Sequence, residues 1–237
     1  MATKTMELDC SDIDQYLGKP IESSSLREPI GTNDIRRWVH AMHYPNRLHY
    51  DPAFAEDSRW GQIIAPQSFP IATDDAHGAA PASVGCIPGS HLLFGGDEFW
   101  FYETRVKPGD MIHNERVPFD YTVKETGFAG PTCFQRGDNN YYNQDGDPIS
   151  KQRSTSIRYL ADAGQANVDM DQAEEPAWTD DELEALEERK FAWIQILHEL
   201  GHKERWWDDV EIGDDLPKGC LGRTALPASQ PNGAPIS

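Results

Sequence analysis

The chain has 237 residues, which is enough for one large domain or one and a half ordinary ones. Its 40 acidic residues outnumber its 21 lysines and arginines, and its formal net charge is −19. A charge of that sign repels nucleic acid and anionic membranes, so we expect neither as a partner, and a site for an anionic small molecule would need a local cluster of arginine or lysine.

The four cysteines stand far apart and form no CxxC pair, which argues against a zinc ribbon or a disulfide framework. The first residues lack the apolar core of a signal peptide, and no apolar run approaches the ~18 residues that a membrane-spanning helix needs. These features predict a cytoplasmic protein.

Two helices are predicted before the first strand. One begins at Thr32 or Asn33 as N-cap, carries apolar residues at spacings of three and four, and ends by Pro45. A short second helix follows at 52–58, with a proline at its first position. Further along, Pro66 stands near another predicted helix start, and the Ala-, Gly- and Pro-rich residues after it indicate a long loop.

Four strands are predicted next, because alternating and β-branched or aromatic residues recur between turn signals. They cover residues 98–106, 111–125, 132–143 and 150–160. One helical region followed by four strands in meander order indicates an α+β domain with an antiparallel sheet. The aromatic run Trp100, Phe101, Tyr102 is typical of a sheet core, and a pocket for a bulky acyl group is the alternative.

The C-terminal part begins with an acidic linker at 161–178. Thr179 and Glu182 form the pattern of a capping box, which predicts a helix to about Leu200, with Gly201 as its stop. Residues 204–237 are expected to form an extended tail with a disordered tip.

The stretch from Tyr44 to Gly61 contains the strongest functional motif. Seven of its residues, Asn46, Leu48, His49, Asp51, Pro52, Phe54 and Ala55, fit the pattern Asn-x-Leu-His followed by Asp-Pro-x-Phe-Ala. The stretch resembles the signature of the MaoC-like hydratase/dehydratase family. The resemblance implies a hot-dog fold, a curved antiparallel sheet around a central helix, here over residues 1–160 with an extra C-terminal helix at 179–203. The tail around Trp207 resembles the start of a second hot dog, as in the N-terminal half of double-hot-dog dehydratases.

The resemblance also implies a chemistry, the reversible addition of water to a 2-enoyl thioester such as an acyl-CoA, without a cofactor. His49 matches the family's catalytic histidine, and Asn46 matches the asparagine that braces its loop. The matching oxyanion donor is the backbone N–H of Gln67, since Pro66 has none. Asp51 could supply a carboxylate to His49. Positive charge near a CoA phosphate could come from Arg36, Arg37, Arg47 and Arg59, and ordinary surface charge is the alternative.

One departure from the family pattern limits this interpretation. Tyr44 stands where the family has its catalytic aspartate, and its phenol is not a carboxylate. His49 could work with Tyr44 or with a carboxylate from elsewhere, such as Asp51, or the site could be inactive. The favoured hypothesis is that the chain is one subunit of a heteromeric enzyme, with a second hot-dog subunit or a second copy as partner. A non-catalytic, acyl-thioester-binding subunit is the alternative.

A third hypothesis comes from the segment His198, Glu199, Leu200, Gly201, His202, which fits the HExxH pattern of zinc proteases. On a helix the two histidines would lie one turn apart and could bind zinc, with Glu199 as general base. Gly201 and the lack of a recognisable third ligand argue against a zinc hydrolase.

Overall fold

The computed structural model describes residues 8–23, 25–76, 78–162 and 177–215. The chain divides into two compact units: Met1–Met42 with Leu48–Gln172, and His43–Arg47 with Ala173–Ser237. The predictions for most of the acidic linker, for the tip of the tail and for Cys220 lie outside the described residues.

Two α-helices of the first unit precede the sheet. Helix α1 spans Thr32–Ala41, and its N-cap is Gly31, whose N–H donates to the Asp34 carboxylate at 2.8 Å. The predicted N-cap at Thr32 or Asn33 is therefore wrong by one or two residues. Helix α2 spans Pro52–Glu56. Proline at its first position is confirmed.

The sheet has four antiparallel strands in the order β1-β4-β3-β2. They span Ser90–Phe101 (β1), His113–Thr126 (β2), Gly130–Tyr142 (β3) and Pro148–Leu160 (β4). The α+β class with an antiparallel sheet is confirmed. The predicted meander is wrong for β1, which pairs with β4 at the edge opposite β2 and begins earlier than expected.

A long helix does not follow Pro66 in the described chain. Residues 63–66 form neither a helix nor a strand, and two short 3₁₀ helices follow, Phe69–Thr73 and Ala80–Ala82. The predicted start of a central α-helix in this region is wrong. Each 3₁₀ helix has a proline in its first turn, where a missing N–H is tolerated. In a longer α-helix through this region, a proline would lie in the interior and would break a backbone hydrogen bond.

One face of the sheet packs against the loop that contains these two 3₁₀ helices, and this face carries both polar and apolar residues. Buried side chains of β3 and β4 donate to loop carbonyls. The Asn139 amide donates to the Gly78 oxygen at 2.7 Å, the Gln135 amide donates to the Val84 oxygen at 2.8 Å, and the Arg158 guanidinium also donates to Val84 at 3.1 Å. These bonds fix the loop against the sheet and satisfy buried carbonyl groups. A small apolar cluster, formed by Cys10, Ile13, Ile87 and Cys133, fills the space beside them.

The opposite face carries charged and aromatic residues. Asp138 pairs with Arg153 at 2.6 Å, and the Arg153 guanidinium lies 3.5 Å from the Phe119 ring centroid. Trp100 is 42% exposed and lies over the same guanidinium at 5.7 Å. Phe101 and Tyr102 are also more than 40% exposed, so the prediction that this aromatic run forms sheet core is wrong.

The second unit contains helix α3, Asp180–His202. The capping box is confirmed, since the Thr179 hydroxyl accepts from the Glu182 N–H at 3.3 Å and Glu182 accepts from the Thr179 N–H at 2.8 Å. The helix continues through Gly201 to His202, so the predicted stop is wrong. The Trp193 indole donates to His43 Nδ1 at 3.1 Å, which ties residues 43–47 to this unit. None of the described helices is long and apolar enough to span a bilayer.

Candidate functional site

His49 ends a short 3₁₀ helix, Arg47–His49, and its ring is half-buried. Its Nδ1 lies 2.8 Å from the carbonyl oxygen of Ile64. A carbonyl oxygen can only accept, so Nδ1 carries a proton, and in the neutral ring Nε2 is the unprotonated nitrogen. The loop geometry therefore selects the tautomer in which Nε2 can act as a base.

Burial lowers the pKa of His49 below its ordinary value of 6.5, because the charged imidazolium is poorly solvated there. The Ile64 carbonyl opposes this effect by stabilising the imidazolium. The positive charge of Arg105 lowers the pKa further. The net result is an imidazole that is neutral at pH 7, the protonation state that a general base requires.

Gln67 lies in the turn between residues 63–66 and the 3₁₀ helix Phe69–Thr73. None of the described residues accepts a hydrogen bond from its backbone N–H. With its amide oxygen facing Arg105, the Gln67 side chain accepts from the guanidinium at 2.9 Å and 3.0 Å. The helix that follows is too short to provide a large dipole, so the donors at this position are the Gln67 N–H itself and the adjacent guanidinium.

Arg105 is a residue of this site that the sequence analysis missed. The Ala65 N–H donates to the Val106 oxygen at 2.7 Å, which brings the segment after β1 beside Gln67. The Arg105 side chain is half-buried, donates to the Tyr102 oxygen at 3.0 Å and lies 5.8 Å from the Trp60 ring centroid. Arg105 lies far from the His49 motif in sequence, and no local pattern marks it.

The other predicted site residues are placed differently. Tyr44, Asn46 and Arg47 belong to the second unit, whereas His49 and Gln67 belong to the first. Asp51 is the N-cap of α2, and its carboxylate accepts from the Phe54 N–H at 3.2 Å. The functional roles of these four residues stay predictions.

An apolar pocket of about 680 Å³ lies between α1, the 3₁₀ helix Phe69–Thr73 and residues 26–30. Ile30 and Phe69 are its buried residues, and Trp38 is half-buried. The Trp38 indole donates to the Ser68 hydroxyl at 3.2 Å and meets the Phe69 ring edge-to-face at 6.4 Å. Ser68 and Phe69 directly follow Gln67, so the pocket wall begins beside the candidate oxyanion donor.

The HExxH segment lies in the second unit near the end of α3. The rings of His198 and His202 are 4.4 Å apart, as expected for residues one turn apart. His202 Nδ1 lies 2.8 Å from the His198 oxygen and donates to it. In the part of the chain that the structure describes, no three His, Cys, Asp or Glu side chains are grouped so that they could hold a metal ion.

Residues 16–152 match the family described as FAS1-like, dehydratase domain region, and this is more than half of the chain. The chain belongs to this family. The matched region contains His49, Gln67 and Arg105, so the candidate site lies within the FAS1-like dehydratase region.

Other similarities agree with the family. A UPF0336 protein from Thermobifida fusca (strain YX) is 31% identical over 100 residues, which cover 41% of this chain and 64% of that protein. The match thus spans less than two thirds of its length. A chain of the ChsH1–ChsH2 complex from Mycobacterium tuberculosis has a TM-score of 0.51 at 14% identity and covers 63% of this chain and 89% of that chain.

A second solved structure, the unliganded R-hydratase PhaJ1 from Pseudomonas aeruginosa, has a TM-score of 0.42 at 19% identity and covers 67% of this chain and 90% of that chain. The family match and the likeness to the ChsH1–ChsH2 chain confirm the predicted hot-dog fold and the resemblance to MaoC-like dehydratases. Here the fold has 3₁₀ helices where a central α-helix was expected.

Proposed function

We propose that this chain is a hydro-lyase that adds water reversibly to the double bond of a 2-enoyl thioester. The observation that carries the proposal is the fixed tautomer of His49, held by the Ile64 carbonyl at 2.8 Å. A ring with a lowered pKa and an unprotonated Nε2 suits the activation of water. The membership of the FAS1-like dehydratase family supports the same class of reaction.

In the proposed reaction, Nε2 of His49 takes a proton from water as the water oxygen bonds to C3 of the enoyl group. Electrons move to the thioester oxygen, which gains negative charge, and the Gln67 N–H donates to it. The imidazolium then gives its proton to C2, the carbonyl re-forms and His49 is neutral again. The reverse sequence dehydrates a 3-hydroxyacyl thioester.

The roles of Tyr44, Asn46 and Arg47 are proposed from the sequence motif alone. Asp51 would support the site by capping α2, because its carboxylate already accepts from Phe54.

The apolar pocket is proposed to receive the acyl group. Its volume of about 680 Å³ lies within the ordinary range for small-molecule sites, and aromatic side chains line it. Because its wall starts at Phe69, two positions after Gln67, an acyl chain leaving the oxyanion donor could enter it. This favours substrates bulkier than a four-carbon acyl group.

A second hot-dog subunit, or a second copy of this chain, is the proposed partner. Within the described residues, β1 is an edge strand, and it exposes Leu92, Leu93 and Phe94 by 46%, 47% and 69%. An apolar edge of this kind is normally covered, because open edges invite pairing with other chains. The structural likeness to a chain of a two-protein complex agrees with such a partner.

The direct test measures hydration of crotonyl-CoA and decenoyl-CoA by the loss of enoyl-thioester absorbance. The assay uses the chain as purified, together with any partner that co-purifies. We expect His49→Ala to lower kcat at least a hundredfold, since general acid–base groups contribute roughly 10²–10⁴-fold. His40→Ala, at an exposed histidine of α1, is the matched control and should leave the rate unchanged.

Activity in His49→Ala equal to that of the wild type would exclude His49 as the acid–base group. If the complex with a partner were active and insensitive to His49→Ala, the alternative function, a non-catalytic acyl-thioester-binding subunit, would be favoured. The specific observation behind that alternative is Tyr44 at the position of the family's aspartate.

A further inference from the structure

The proposed acid–base group and the proposed oxyanion donor are both attached to one short segment, residues 64–67. At its start, the Ile64 oxygen accepts from His49 Nδ1 at 2.8 Å. At its end stands Gln67, which is exposed, whereas the three residues before it are buried. The alignment of the Gln67 N–H with the His49 ring therefore depends on how firmly this segment is held.

The chain that follows β1 holds residues 64–67 at two points. In the backbone, the Ala65 N–H donates to the oxygen of the buried Val106 at 2.7 Å. In the side chains, the Arg105 guanidinium donates from both terminal nitrogens to the Gln67 amide oxygen, at 2.9 Å and 3.0 Å. The cavity between these residues is about 10 Å³, room for about one water molecule, so the two segments are closely packed.

The Arg105 side chain is itself fixed to the sheet. Its guanidinium also donates to the Tyr102 oxygen at 3.0 Å, and the Tyr102 N–H donates to the Ile149 oxygen of β4 at 3.0 Å. A planar guanidinium carries its donors in a fixed geometry, so it can join acceptors on two segments without much freedom between them. A path of hydrogen bonds thus runs from β4 to the Gln67 side chain.

We propose that Arg105 is a positioning residue of the hydratase site, whose guanidinium fixes Gln67 to the sheet so that the Gln67 N–H stays aligned with the thioester oxygen. This inference rests on the proposed function and adds a residue to its mechanism. An oxyanion donor lowers the barrier most when it is oriented before the reaction, because reorientation during the reaction costs free energy. Arg105 acts through Gln67 and not by contact with the substrate.

A double-mutant cycle tests this role through hydration kinetics, with whichever of crotonyl-CoA and decenoyl-CoA the wild type hydrates faster. Arg105→Gln removes the guanidinium, and Gln67→Ala removes the side-chain acceptor but keeps the backbone N–H. A third protein carries both substitutions, and Arg105→Lys keeps the charge without the planar donors. The controls are Arg189→Gln and Gln195→Ala, at exposed positions of α3. All proteins are used in the form that purifies, with any partner retained.

We expect Arg105→Gln and Gln67→Ala each to lower kcat by about ten- to a hundredfold, because a displaced donor stabilises the transition state less well. The KM should change little, since the lost alignment matters mainly in the transition state. The double variant should lose no more than the single variants, because all three break the same contact. Arg105→Lys should recover only a small part of kcat, and both controls should behave as the wild type.

A second measurement needs no turnover and follows the mobility of the Gln67 backbone N–H by NMR. In the wild type its ¹⁵N order parameter should be near ~0.85, the value of rigid backbone, and in Arg105→Gln it should fall to ~0.6 or below. The backbone N–H of Gln195 in α3 is the internal reference and should be the same in both proteins.

Three kinetic outcomes would overturn the positioning role: wild-type kcat in Arg105→Gln, full recovery of kcat in Arg105→Lys, or additive losses in the double variant. An equal order parameter of the Gln67 N–H in wild type and Arg105→Gln would overturn it as well. Failure of the proposed function looks different, because then no enoyl thioester is hydrated while the Gln67 N–H is still rigid only when Arg105 is present. That result would support Arg105 as the residue that fixes Gln67 and would remove the hydratase mechanism.

Discussion

The proton on His49 is held on Nδ1 because the Ile64 carbonyl oxygen accepts from that nitrogen at 2.8 Å. Burial then keeps the ring neutral at pH 7, and the charge of Arg105 acts in the same direction. A base is active in its unprotonated form, so activity that depends on His49 is lost as the pH falls through the pKa of the ring.

The pH dependence of kcat/KM tests this assignment. In the wild type, the acid limb should have its midpoint below 6.5, since the pKa of His49 is lowered. In Arg105→Gln the limb should move to higher pH, because a positive charge that disfavours the imidazolium has been removed. The measurement uses crotonyl-CoA at limiting concentration. A wild-type midpoint above 6.5, or a shift to lower pH in the variant, would contradict the proposed role of His49.

Sequence reasoning could propose His49 and Gln67 because both stand in local patterns, His49 in a Leu-His motif and Gln67 after a proline that lacks an N–H. It missed Arg105 because tertiary contacts alone bring that residue to Gln67, through the bond between Ala65 and Val106. It also could not show which unit contains Tyr44 and Asn46, since a boundary between units follows Arg47.

At the scale of elements, β2, β3 and β4 were predicted to within a few residues, because alternation and the Asp-Gly turn mark them. The first half of β1 was missed, since Gly95-Gly96 suggests a turn. In the structure, a bulge lies between Phe94 and Gly96, and a Cβ at Gly95 would lie 2.9 Å from the Ile157 side chain. Gly95 therefore allows β1 to pack closely against Ile157 of β4. A single sequence does not reveal this role.

The contact between β3 and the 3₁₀ helix Ala80–Ala82 yields a prediction about stability. A Cβ at Gly137 would lie 2.2 Å from the Pro81 carbonyl carbon, and backbone cannot move as a flexible side chain does. Gly137→Ala should therefore destabilise the protein by about 1–3 kcal/mol or more. Gly127→Ala, where nothing lies within 4 Å of the added methyl group, is the control.

The readout is thermal and urea denaturation of both variants beside the wild type. Equal stability of Gly137→Ala and Gly127→Ala would mean that the 3₁₀ helix Ala80–Ala82 does not pack against β3 as described.

At the scale of the whole molecule, β1 is an exposed edge strand of the sheet within the described residues. The chain is strongly acidic, yet this edge exposes Leu92, Leu93 and Phe94. The acidity of the chain can be read from its composition. The exposed edge was not predictable, because it depends on the pairing of β1 with β4 and on the absence of a strand on its other side within the described residues.

The association state tests the proposed partner. The protein purified from its native host, analysed by size-exclusion chromatography with light scattering, should be a dimer of this chain or a complex with a second hot-dog chain. Phe94→Asp should dissociate it, because a charge would be placed in the apolar contact. Phe191→Asp, on an equally exposed phenylalanine of α3, should leave it intact. A monomeric wild type, or a Phe94→Asp protein that still associates, would exclude β1 as the interface.

Polar side chains of β3 and β4 that bind the loop limit the changes in loop length that this chain tolerates. Asn139, Gln135 and Arg158 each satisfy particular carbonyl groups of the loop between Gly78 and Gly85. An α-helix would satisfy such carbonyls internally, whichever residues faced it. Here the spacing of the loop carbonyl groups must match the positions of Asn139, Gln135 and Arg158. Inserting or deleting one loop residue would therefore leave several buried carbonyl oxygens without a hydrogen bond at once. Length variation should therefore be harder to accommodate in this loop than substitution of its side chains.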